Sequence, residues 1–299
     1  MSLVINHNLM AMNAARNLST SYSNLSTSTR RLSSGLRVGT AADDAAGLAI
    51  RELMRADIAS LNQGMRNAND AISMIQTADG ALQVIDEKLI RMKELAEQAA
   101  TGTYTSDQRL IIDSEYQAMA SEITRIANAT DFNGIYLLNG NLSGSAHDGS
   151  GLNSTGRLKV HFGAGNDSAE DYYYIQIGNS TASALGVGNQ SDRSISSAGY
   201  SISTQEAAQT SLDAINEAIV SKDKIRASLG GLQNRLENTI TNLSIQAENL
   251  QSAESRISDV DVAQEMTEFV RNQILTQSAV AMLAQANQLP QMAMQLMQG

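Results

Sequence analysis

The side chains that could support catalysis or metal binding are few in this 299-residue chain, and they lie far apart in the sequence. The chain has no cysteine, which excludes disulfides, thiolate metal ligands and a cysteine nucleophile. The three histidines, His7, His147 and His161, have no spacing typical of a metal site. Asp43 and Asp44 are adjacent at a predicted helix start, so their carboxylates would not converge on one substrate, and we assign them to helix capping. The residues therefore indicate no catalytic group, no metal and no cofactor.

Two other motifs could bind a ligand but lack the context that such a site requires. Residues 163–167 read Gly-Ala-Gly-Asn-Asp, yet they do not lead from a strand into a helix, as a phosphate-binding loop does. The run Tyr172-Tyr173-Tyr174 could form a stacking platform, but packing within a strand is the more common role of such a run. An enzymatic function therefore has little support in the sequence.

The composition favours a protein that makes extensive contacts with other protein. A net charge of −10 and a pI near 4.8 argue against nucleic acid or an anionic membrane as the main partner. Only 17% of the residues are charged, so Ser, Thr, Asn and Gln must form much of the polar surface. One proline and no tryptophan predict long helices, and the N-terminus lacks the features of a cleaved secretory signal.

Both ends of the chain have the apolar spacing of a coiled coil, and residues 272–299 carry no charged side chain. The C-terminal row, spaced by four and three, is Leu275, Ala279, Met282, Ala286, Leu289, Ala293 and Leu296. The N-terminal row, spaced by seven, is Val4, Ala11, Leu18, Leu25 and Leu32, with Ala15, Tyr22 and Thr29 between its members. We therefore predict that the two terminal helices pair with each other.

A two-helix pair buries only a narrow stripe, so the apolar residues outside the two rows need further partners. These residues are Leu9, Met10, Met12, Ile274, Val280, Leu283, Met292, Met294 and Met297. No Asp or Glu precedes Asp43 to keep copies of this surface apart, which favours burial by neighbouring subunits. The predicted self-assembly residues are Val4, Leu9, Met12, Leu18, Leu25, Leu275, Met282, Leu283, Leu289 and Leu296.

Three alternatives exist for these ends. They could form a buried helix pair inside an ordinary globular core, which remains open. A helix lying on a lipid surface is disfavoured, because Gln and Asn occupy the polar face where such helices carry Lys and Arg. A membrane span is excluded, because glutamines interrupt every run that approaches the required ~20 apolar residues.

The elements between the two ends are mainly helical. The first helix is predicted over residues 3–34 with Gly35 as its C-cap, and a second with sustained heptads over residues 58–99. A third helix follows the turn at residues 102–107, and a last helical stretch runs from Leu212 continuously to the C-terminus. Pro290 is predicted to kink or break this last stretch.

The middle of the chain changes to the period of β-strands. Residues 132–140 predict one short strand between two Asn-Gly turns. Residues 141–205 are rich in Gly, Ser, Asn and Thr, with strand-like runs at 157–162 and 172–177.

The predicted fold class is mainly α: a long antiparallel coiled-coil or helical-bundle rod with paired terminal helices and a small β-rich insert. The expected domains are a terminal helical core (1–40 plus 261–299), a helical rod (41–140 plus 206–260) and a surface-exposed β and loop insert (141–205).

Six sequence blocks carry a resemblance to a known family. They are SSGLRVGTAADDAAGLAI (33–50), RNANDAISMIQTADGALQ (66–83), RMKELAEQAATGTYT (91–105), FNGIYLLNG (132–140), SRISDVDVAQEM (255–266) and LAQANQLPQ (283–291). In these blocks and in their order the chain resembles bacterial flagellin, the subunit of the flagellar filament. The insert at 141–205 shows no comparable match and is short beside long flagellins.

The resemblance implies a structural subunit that self-assembles into an extracellular filament, the propeller for swimming. It also implies export through the flagellar type III apparatus without a cleaved signal. The implied partners are further copies of the chain, an export chaperone, the flagellar cap and hook-associated proteins. The alternatives are a hook–filament junction protein of the same family and, from another class, a secreted coiled-coil adhesin.

In some flagellins the rod carries a site for the flagellin-sensing Toll-like receptor. The resemblance places that site on Arg91, Leu95, Gln98 and Glu115. Arg91, Leu95 and Gln98 share one helix face, with Leu95 predicted to lie outside the buried heptad row. A contact between subunits is the alternative role for this face.

Overall fold

The computed structural model describes residues 8–148, 155–167, 170–188 and 199–298, and in these ranges the chain is mainly α-helical. Its helices are α1 (Leu9–Ser34), α2 (Ala45–Ala100), α3 (Ser106–Ala129), α4 (Gln205–Ser258) and α5 (Val262–Gln298). Its strands are β1 (Asp131–Phe132), β2 (Ile135–Tyr136), β3 (His147–Asp148), β4 (Thr155–Gly156), β5 (Leu158–His161) and β6 (Tyr172–Ile175). The prediction of a mainly α fold with long helices and a small β-rich insert is confirmed.

The chain divides into two compact units, each made of segments that are distant in sequence. Unit 1 comprises Met1–Ile58 and Glu248–Gly299, and unit 2 comprises Ala59–Ala247. The boundaries fall inside α2 and α4, so single helices belong to both units. The three-domain division expected from the sequence stays a prediction.

In unit 1 the two terminal helices α1 and α5 pack against each other in antiparallel orientation. At one end the Asn8 Nδ2 donates a hydrogen bond of 2.8 Å to the carbonyl oxygen of Ala286. At the other end the backbone N–H of Val260, just before α5, donates to the carbonyl oxygen of Gly35, just after α1, at 3.0 Å. The predicted pairing of the terminal helices is therefore observed.

The ends of α1 are set by local capping. Asn8 caps the N-terminus, because its side chain accepts a hydrogen bond from the backbone N–H of Ala11 at 3.0 Å. The helix thus begins at Leu9 rather than at the predicted Leu3, and residues 3–7 lie outside the described part of the chain. Gly35 ends it with φ +72°, a left-handed conformation that favours glycine, as predicted.

The two adjacent aspartates before α2 have different roles. Asp44 is the residue that caps α2, because its Oδ1 accepts the backbone N–H of Gly47 at 2.9 Å. Asp43 accepts the backbone N–H and the hydroxyl of Thr40 and forms an ion pair of 2.7 Å with Arg30. Asp43 therefore stabilises the turn before α2 and is not part of the helix.

The prediction of one continuous helix from Leu212 to the C-terminus is wrong. The chain leaves helical geometry between α4 and α5, where Asp259 forms an isolated antiparallel bridge with Leu36. Asp261 then caps α5 by accepting the backbone N–H groups of Ala263 and Gln264. Heptad periodicity continues across this junction, so the apolar spacing gave no sign of it. Further along, helical geometry continues past Pro290 to the end of α5.

Unit 2 holds a continuous hydrophobic core between α2, α3, α4 and the loops that follow β6. The predicted heptad row of α2 supplies much of it, with Leu82, Ile85, Leu89 and Met92 fully buried. The other helices contribute Tyr116, Ala120, Ile123 and Ala127 from α3, and Ala208, Ile215, Ala218, Leu229 and Leu236 from α4. Heptad spacing in this unit therefore identified the buried face correctly.

The β segments form short antiparallel pairs. The predicted Asn-Gly turn at Asn133-Gly134 is present, with φ of +51° and +80°, and joins β1 to β2. The short strand predicted between the two Asn-Gly turns is β2. The predicted runs at 157–162 and 172–177 form β5 and β6, which pair antiparallel. The pair β3–β4 was not anticipated.

Candidate assembly surface

The contact between α1 and α5 is made mostly of small and polar side chains. The inward-facing row of α1, buried or half-buried at steps of three and four, is Ala11, Ala14, Leu18, Ser21, Leu25, Ser28 and Leu32. The corresponding row of α5 is Glu265, Phe269, Asn272, Thr276, Ala279, Leu283 and Ala286. Small residues at such a contact allow two helix backbones to approach closely.

The predicted rows were therefore half right. Ala11, Leu18, Leu25 and Leu32 lie in the contact as expected, and so do Ala279 and Ala286. The other predicted positions whose burial the structure describes lie outside it: Ala15, Tyr22 and Thr29 on α1, and Leu275 and Met282 on α5. The heptad rule places the largest apolar side chains inward, whereas both helices here are rotated so that their smallest residues meet.

Because the two helices are rotated in this way, the predicted self-assembly residues fall into a half-buried group and an exposed group. Leu18, Leu25 and Leu283 are half-buried in the helix pair. Leu9, Met12, Leu275 and Met282 are exposed, Met282 to 64%. Val4 and the side chains of Leu289 and Leu296 lie outside the described part of the structure.

One flank of the helix pair is an open groove of about 640 Å³, which we call the methionine groove. Its apolar lining comes from Met10 on α1 and from Leu275 and Met282 on α5. Amide side chains surround them, among them Asn13, Asn17, Asn24 and Gln285. None of the described lining side chains carries a charge.

The other flank is a shallower depression of about 410 Å³, which we call the tyrosine edge. It is formed by Ala15, Leu18, Ser19 and Tyr22 of α1 and by Thr276 and Val280 of α5. Tyr22 is 65% exposed, and Val280 is exposed beside it. Ala15 and Tyr22 follow the contact residues Ala14 and Ser21 on α1, whereas the groove residues Asn13 and Asn17 lie on the other side of that row.

Charged groups in unit 1 are gathered where α1 ends and α5 begins. Arg31 lies 3.6 Å from the buried carboxylate of Glu265 and links the two helices. The hydroxyl of Thr40 donates to Asp43, and this bond, helped by Arg30, holds the pKa of the Asp43 carboxyl below its ordinary value. By contrast, Arg16 is the only charged side chain on α1 before Arg30. The ion pairs thus fix one end of the helix pair and leave the rest neutral.

This arrangement can bury apolar surface but has no assembled catalytic group. In the described ranges, no three His, Asp or Glu side chains lie close enough to share a metal ion. No described helix has the length and apolarity needed to cross a bilayer. The two uncharged flanks of unit 1 are therefore the features that call for a partner.

The four residues of the expected receptor face are not all on the surface. Leu95 is only 1% exposed and belongs to the core of unit 2, so its predicted place outside the buried row is wrong. The inward stripe of α2 is wide enough to include both Leu95 and Ala96, because α2 faces more than one neighbouring element. Arg91, Gln98 and Glu115 are exposed as expected.

Arg91 and Glu115 connect α2 to α3 through an ion pair of 2.7 Å. The hydrogen bond from this guanidinium to Glu115, with a second to Glu94, raises the pKa of Arg91. Gln98 donates through its Nε2 to the hydroxyl of Tyr104 at 3.0 Å. The exposed polar residues of this face therefore already have partners within unit 2.

The sequence reasoning missed a pair of ion pairs between α2 and α4. Lys222 is almost fully buried, with its Nζ 2.5 Å from Asp86 and 2.7 Å from Asp223. One turn further, Arg226 contacts both carboxylate oxygens of Asp79 at 2.7 and 3.2 Å. A signal was present, because Asp79 and Asp86 lie seven apart on α2 and the two cations four apart on α4.

Two family models match the chain on its helical segments. The model described as "Bacterial flagellin N-terminal helical region" matches residues 5–143. The model described as "Bacterial flagellin C-terminal helical region" matches residues 212–297.

Full-length relatives show similarity along almost the whole chain. The flagellar filament 33 kDa core protein of Treponema phagedenis is 42% identical over 295 residues, covering 99% of this chain and 100% of the relative. The flagellin of Halalkalibacterium halodurans is also 42% identical, with 99% and 100% covered.

Among solved structures, one from Vibrio parahaemolyticus, provisionally identified as a flagellar hook-associated protein, aligns with a TM-score of 0.54. It is 15% identical and covers 73% of this chain and 100% of that chain, so it shows a shared fold alone.

Proposed function

This chain belongs to the bacterial flagellin family and is a structural subunit of the flagellar filament, and we propose that burial of its paired terminal helices drives assembly. One observation carries the proposal. The helix pair in unit 1 meets through small residues with a few leucines among them, and it leaves further large apolar side chains, such as Met10, Tyr22 and Met282, on two uncharged flanks. Such a surface is stable in water only when it is covered.

The predicted assembly residues have distinct roles in this proposal. Leu18, Leu25 and Leu283 hold α1 against α5, while Leu9, Met12, Leu275 and Met282 make the contacts between subunits. Val4, Leu289 and Leu296 are assigned to assembly on their spacing in the sequence. Burying a side chain of this size contributes about 1.5–3 kcal/mol, so each of these contacts adds to the free energy that favours assembly.

The proposal also places the segments in the filament. Residues 1–40 with 261–299 form the inner core, 41–140 with 206–260 form the surrounding helical rod, and 141–205 lie at the surface. The role of the chain is mechanical, the transmission of motor torque, and requires no catalysis.

Removal of the C-terminal segment tests the mechanism. A chain that lacks residues 272–299 should fail to elongate from filament seeds, as followed by light scattering, because α1 then has no partner helix over most of its length. Assembly of this truncated chain at the full-length rate would refute the mechanism.

Two double variants test whether burial of apolar side chains drives assembly, without removing any part of the chain. The double variant Leu275→Ser/Met282→Ser removes apolar surface from the methionine groove and should elongate far more slowly than the unsubstituted chain. The matched control is Gln277→Ser/Ala281→Ser, which changes two exposed positions of α5 that line neither flank. The control should elongate normally.

We further propose that the filament is extracellular and that the chain reaches it through the flagellar type III apparatus. An export chaperone, the flagellar cap and hook-associated proteins are the expected partners. The support is membership of the flagellin family, whose relatives include a flagellar filament core protein. Secretion of the chain by intact cells, and its retention in cells that lack a working export apparatus, would test this.

The alternative within the family is a hook–filament junction protein. Full-length similarity to a flagellar filament core protein and to a flagellin favours the filament subunit. Electron microscopy of seeded protein distinguishes the two, because a junction protein stops after a short ring whereas a filament subunit continues to elongate.

Recognition by the flagellin-sensing Toll-like receptor is a further proposal. The exposed residues Arg91, Gln98 and Glu115 are the surface offered to it, while Leu95 supports them from the core. Arg91→Ala should reduce the response of receptor-reporter cells to the monomer. An unchanged response would remove this surface from consideration.

A further inference from the structure

We infer that the two flanks of the helix pair are complementary, so that the tyrosine edge of one copy seats in the methionine groove of the next copy. This inference rests on the proposed filament function, and it adds which surfaces of unit 1 meet. The partner is a second copy of this chain, placed beside the first.

The two flanks lie at the same height along the helix pair. On α5, the edge residues Thr276 and Val280 lie in sequence between the groove residues Leu275 and Met282, within two helical turns. On α1, Tyr22 of the edge falls within the span of the groove. Two copies side by side therefore bring an edge opposite a groove without a shift along the helix axis.

The chemistry of the two flanks is matched. Tyr22 offers a large apolar ring with a terminal hydroxyl, and its ring is mostly exposed in the single chain. At the height of Tyr22 on the helix pair, the groove offers Leu275 to the ring and the amide of Asn24 to the hydroxyl. Met282 lies two turns further along α5, close to the height of Val280, and can adapt its shape to that side chain.

Charge does not oppose the contact. Neither flank has a charged side chain among its described residues, so no ion loses water when the flanks meet and no like charges face each other. The charges of unit 1 gather instead at the end of the pair near Arg31 and Glu265. Edge and groove are thus free to be covered by an uncharged surface of the same kind.

Symmetry explains why the flanks differ. A contact between two identical patches closes after two copies, whereas a contact between two different patches of one molecule continues from copy to copy. The methionine groove and the tyrosine edge lie on opposite sides of the helix pair. Each copy can therefore contact one neighbour through its groove and another through its edge, as a growing filament requires.

The absence of native cysteine allows a direct test. Two single variants, Y22C and L275C, are mixed, polymerised from seeds and oxidised, and the products are separated by electrophoresis. A disulfide needs Cβ atoms about 3.5–4.5 Å apart, so it forms only when the two positions meet. We expect disulfide-linked dimers from the mixture, and a ladder of longer products from the double variant Y22C/L275C.

Two controls make the result specific. Replacing L275C by I274C moves the thiol to an exposed neighbouring position that lines neither flank, and the dimers should be lost. Y22C polymerised alone should give no dimers, because edge does not meet edge. The pair V280C with M282C provides a second test of the same contact should Y22C reduce polymerisation.

The outcomes separate this inference from the proposed function. Filaments that form normally but give no cross-link in either pair overturn the flank contact and leave the filament function intact. Dimers from Y22C alone also overturn it, since they show a contact between identical patches. An unsubstituted chain that never polymerises from seeds overturns the proposed function itself.

The critical concentration for polymerisation provides an independent test that needs no cysteine substitution. Tyr22→Ala should raise the critical concentration for polymerisation roughly 100-fold, because most of an aromatic side chain is then no longer buried on assembly. Ser23→Ala changes an exposed neighbour on α1 outside both flanks and should leave the critical concentration unchanged. Equal critical concentrations for the two variants would overturn the inference.

Discussion

Lys222 illustrates how a single buried charge constrains unit 2. Its ammonium group is almost fully removed from water and is held by Asp86 of α2 and by Asp223 of its own helix. A buried ion pair contributes little net stability, but loss of one partner leaves the other charge without compensation. The main effect of such a group is to favour one alignment of α2 against α4.

This asymmetry gives the first prediction. Asp86→Ala should lower the free energy of unfolding by about 1–3 kcal/mol. This loss is smaller than for a buried charge left with no partner, because Asp223 remains beside Lys222. Lys222→Met, which removes the buried charge and keeps the apolar stem, should change stability by less. Denaturant unfolding followed by circular dichroism measures both variants, and a larger loss for Lys222→Met would contradict the argument.

The second prediction at the residue scale concerns pH. The bond from the Thr40 hydroxyl, together with Arg30, keeps the pKa of Asp43 below its ordinary value of 3.8. A carboxyl with a lowered folded pKa stabilises the fold above its unfolded pKa, and the stabilisation is lost as pH falls through the folded value. Asp43→Asn should therefore lower the melting temperature at neutral pH, and the difference should vanish well below 3.8.

Thermal melts of the chain and of Asp43→Asn over this pH range check the second prediction. Asp44→Asn is the matched control, because asparagine also caps helices well and Asp44 has no ion pair to Arg30. A difference for Asp43→Asn that persists unchanged at low pH would show that the carboxylate charge is not its cause.

At the scale of elements, substitution of two glycines of the same helix by alanine is expected to change stability in opposite directions. Gly64 of α2 lies against the backbone of Phe162, where an added Cβ would overlap the carbonyl oxygen. Asn67, one turn later, donates to the carbonyl oxygen of His161 at 2.8 Å and holds this approach together. Gly80 has nothing within 4 Å of the position of a Cβ.

The third prediction follows from this contrast. Gly64→Ala should destabilise unit 2 by about 1–3 kcal/mol, because β5 must move away from α2. Gly80→Ala should stabilise it by about 0.5–1 kcal/mol, since glycine in a helix costs backbone entropy relative to alanine. Denaturant unfolding measures the change in the free energy of unfolding for both variants. A change of the same sign in both would refute the role given to Phe162.

The elements also show what could be predicted from the sequence. The long helices and the Gly35 cap were predictable, because heptad spacing and a left-handed glycine act locally. In unit 2 the predicted row of α2 is buried, since its large apolar residues meet other large residues. The junction at residues 259–261 was not predictable from spacing, because it depends on a bridge to Leu36, distant in sequence.

The assembly surface was only partly predictable for a related reason. Spacing showed that both terminal helices have an apolar row, but the choice between neighbouring rows depends on the partner helix. Ser21 and Ser28 are polar, yet they face α5 because their small size suits a close approach. Tyr22, which the heptad rule placed inside, is instead 65% exposed.

At the scale of the whole molecule, the two units differ in how they are stabilised. The continuous hydrophobic core lies in unit 2, between Ala68 and Leu236. The buried apolar side chains described in unit 1 are few, Val38 and Ala286 among them, and its helix contact is small and polar. Unit 2 thus has the core of an independent domain, whereas unit 1 exposes much of the surface that would stabilise it.

This difference predicts how digestion depends on assembly. In unpolymerised protein, a protease of broad specificity should remove the segments of unit 1 first and leave a resistant fragment within Ala59–Ala247. Broad specificity is needed because residues 272–299 contain no Lys or Arg. In filaments the same segments should resist digestion, since neighbouring copies then cover their flanks. Mass spectrometry of the fragments identifies the boundaries.

The variant Leu275→Ser/Met282→Ser should stay sensitive to the protease at concentrations where the unsubstituted chain is protected. Protection of both ends in dilute protein that has not polymerised would show that unit 1 is stable alone, and burial on assembly could not then be its source of order.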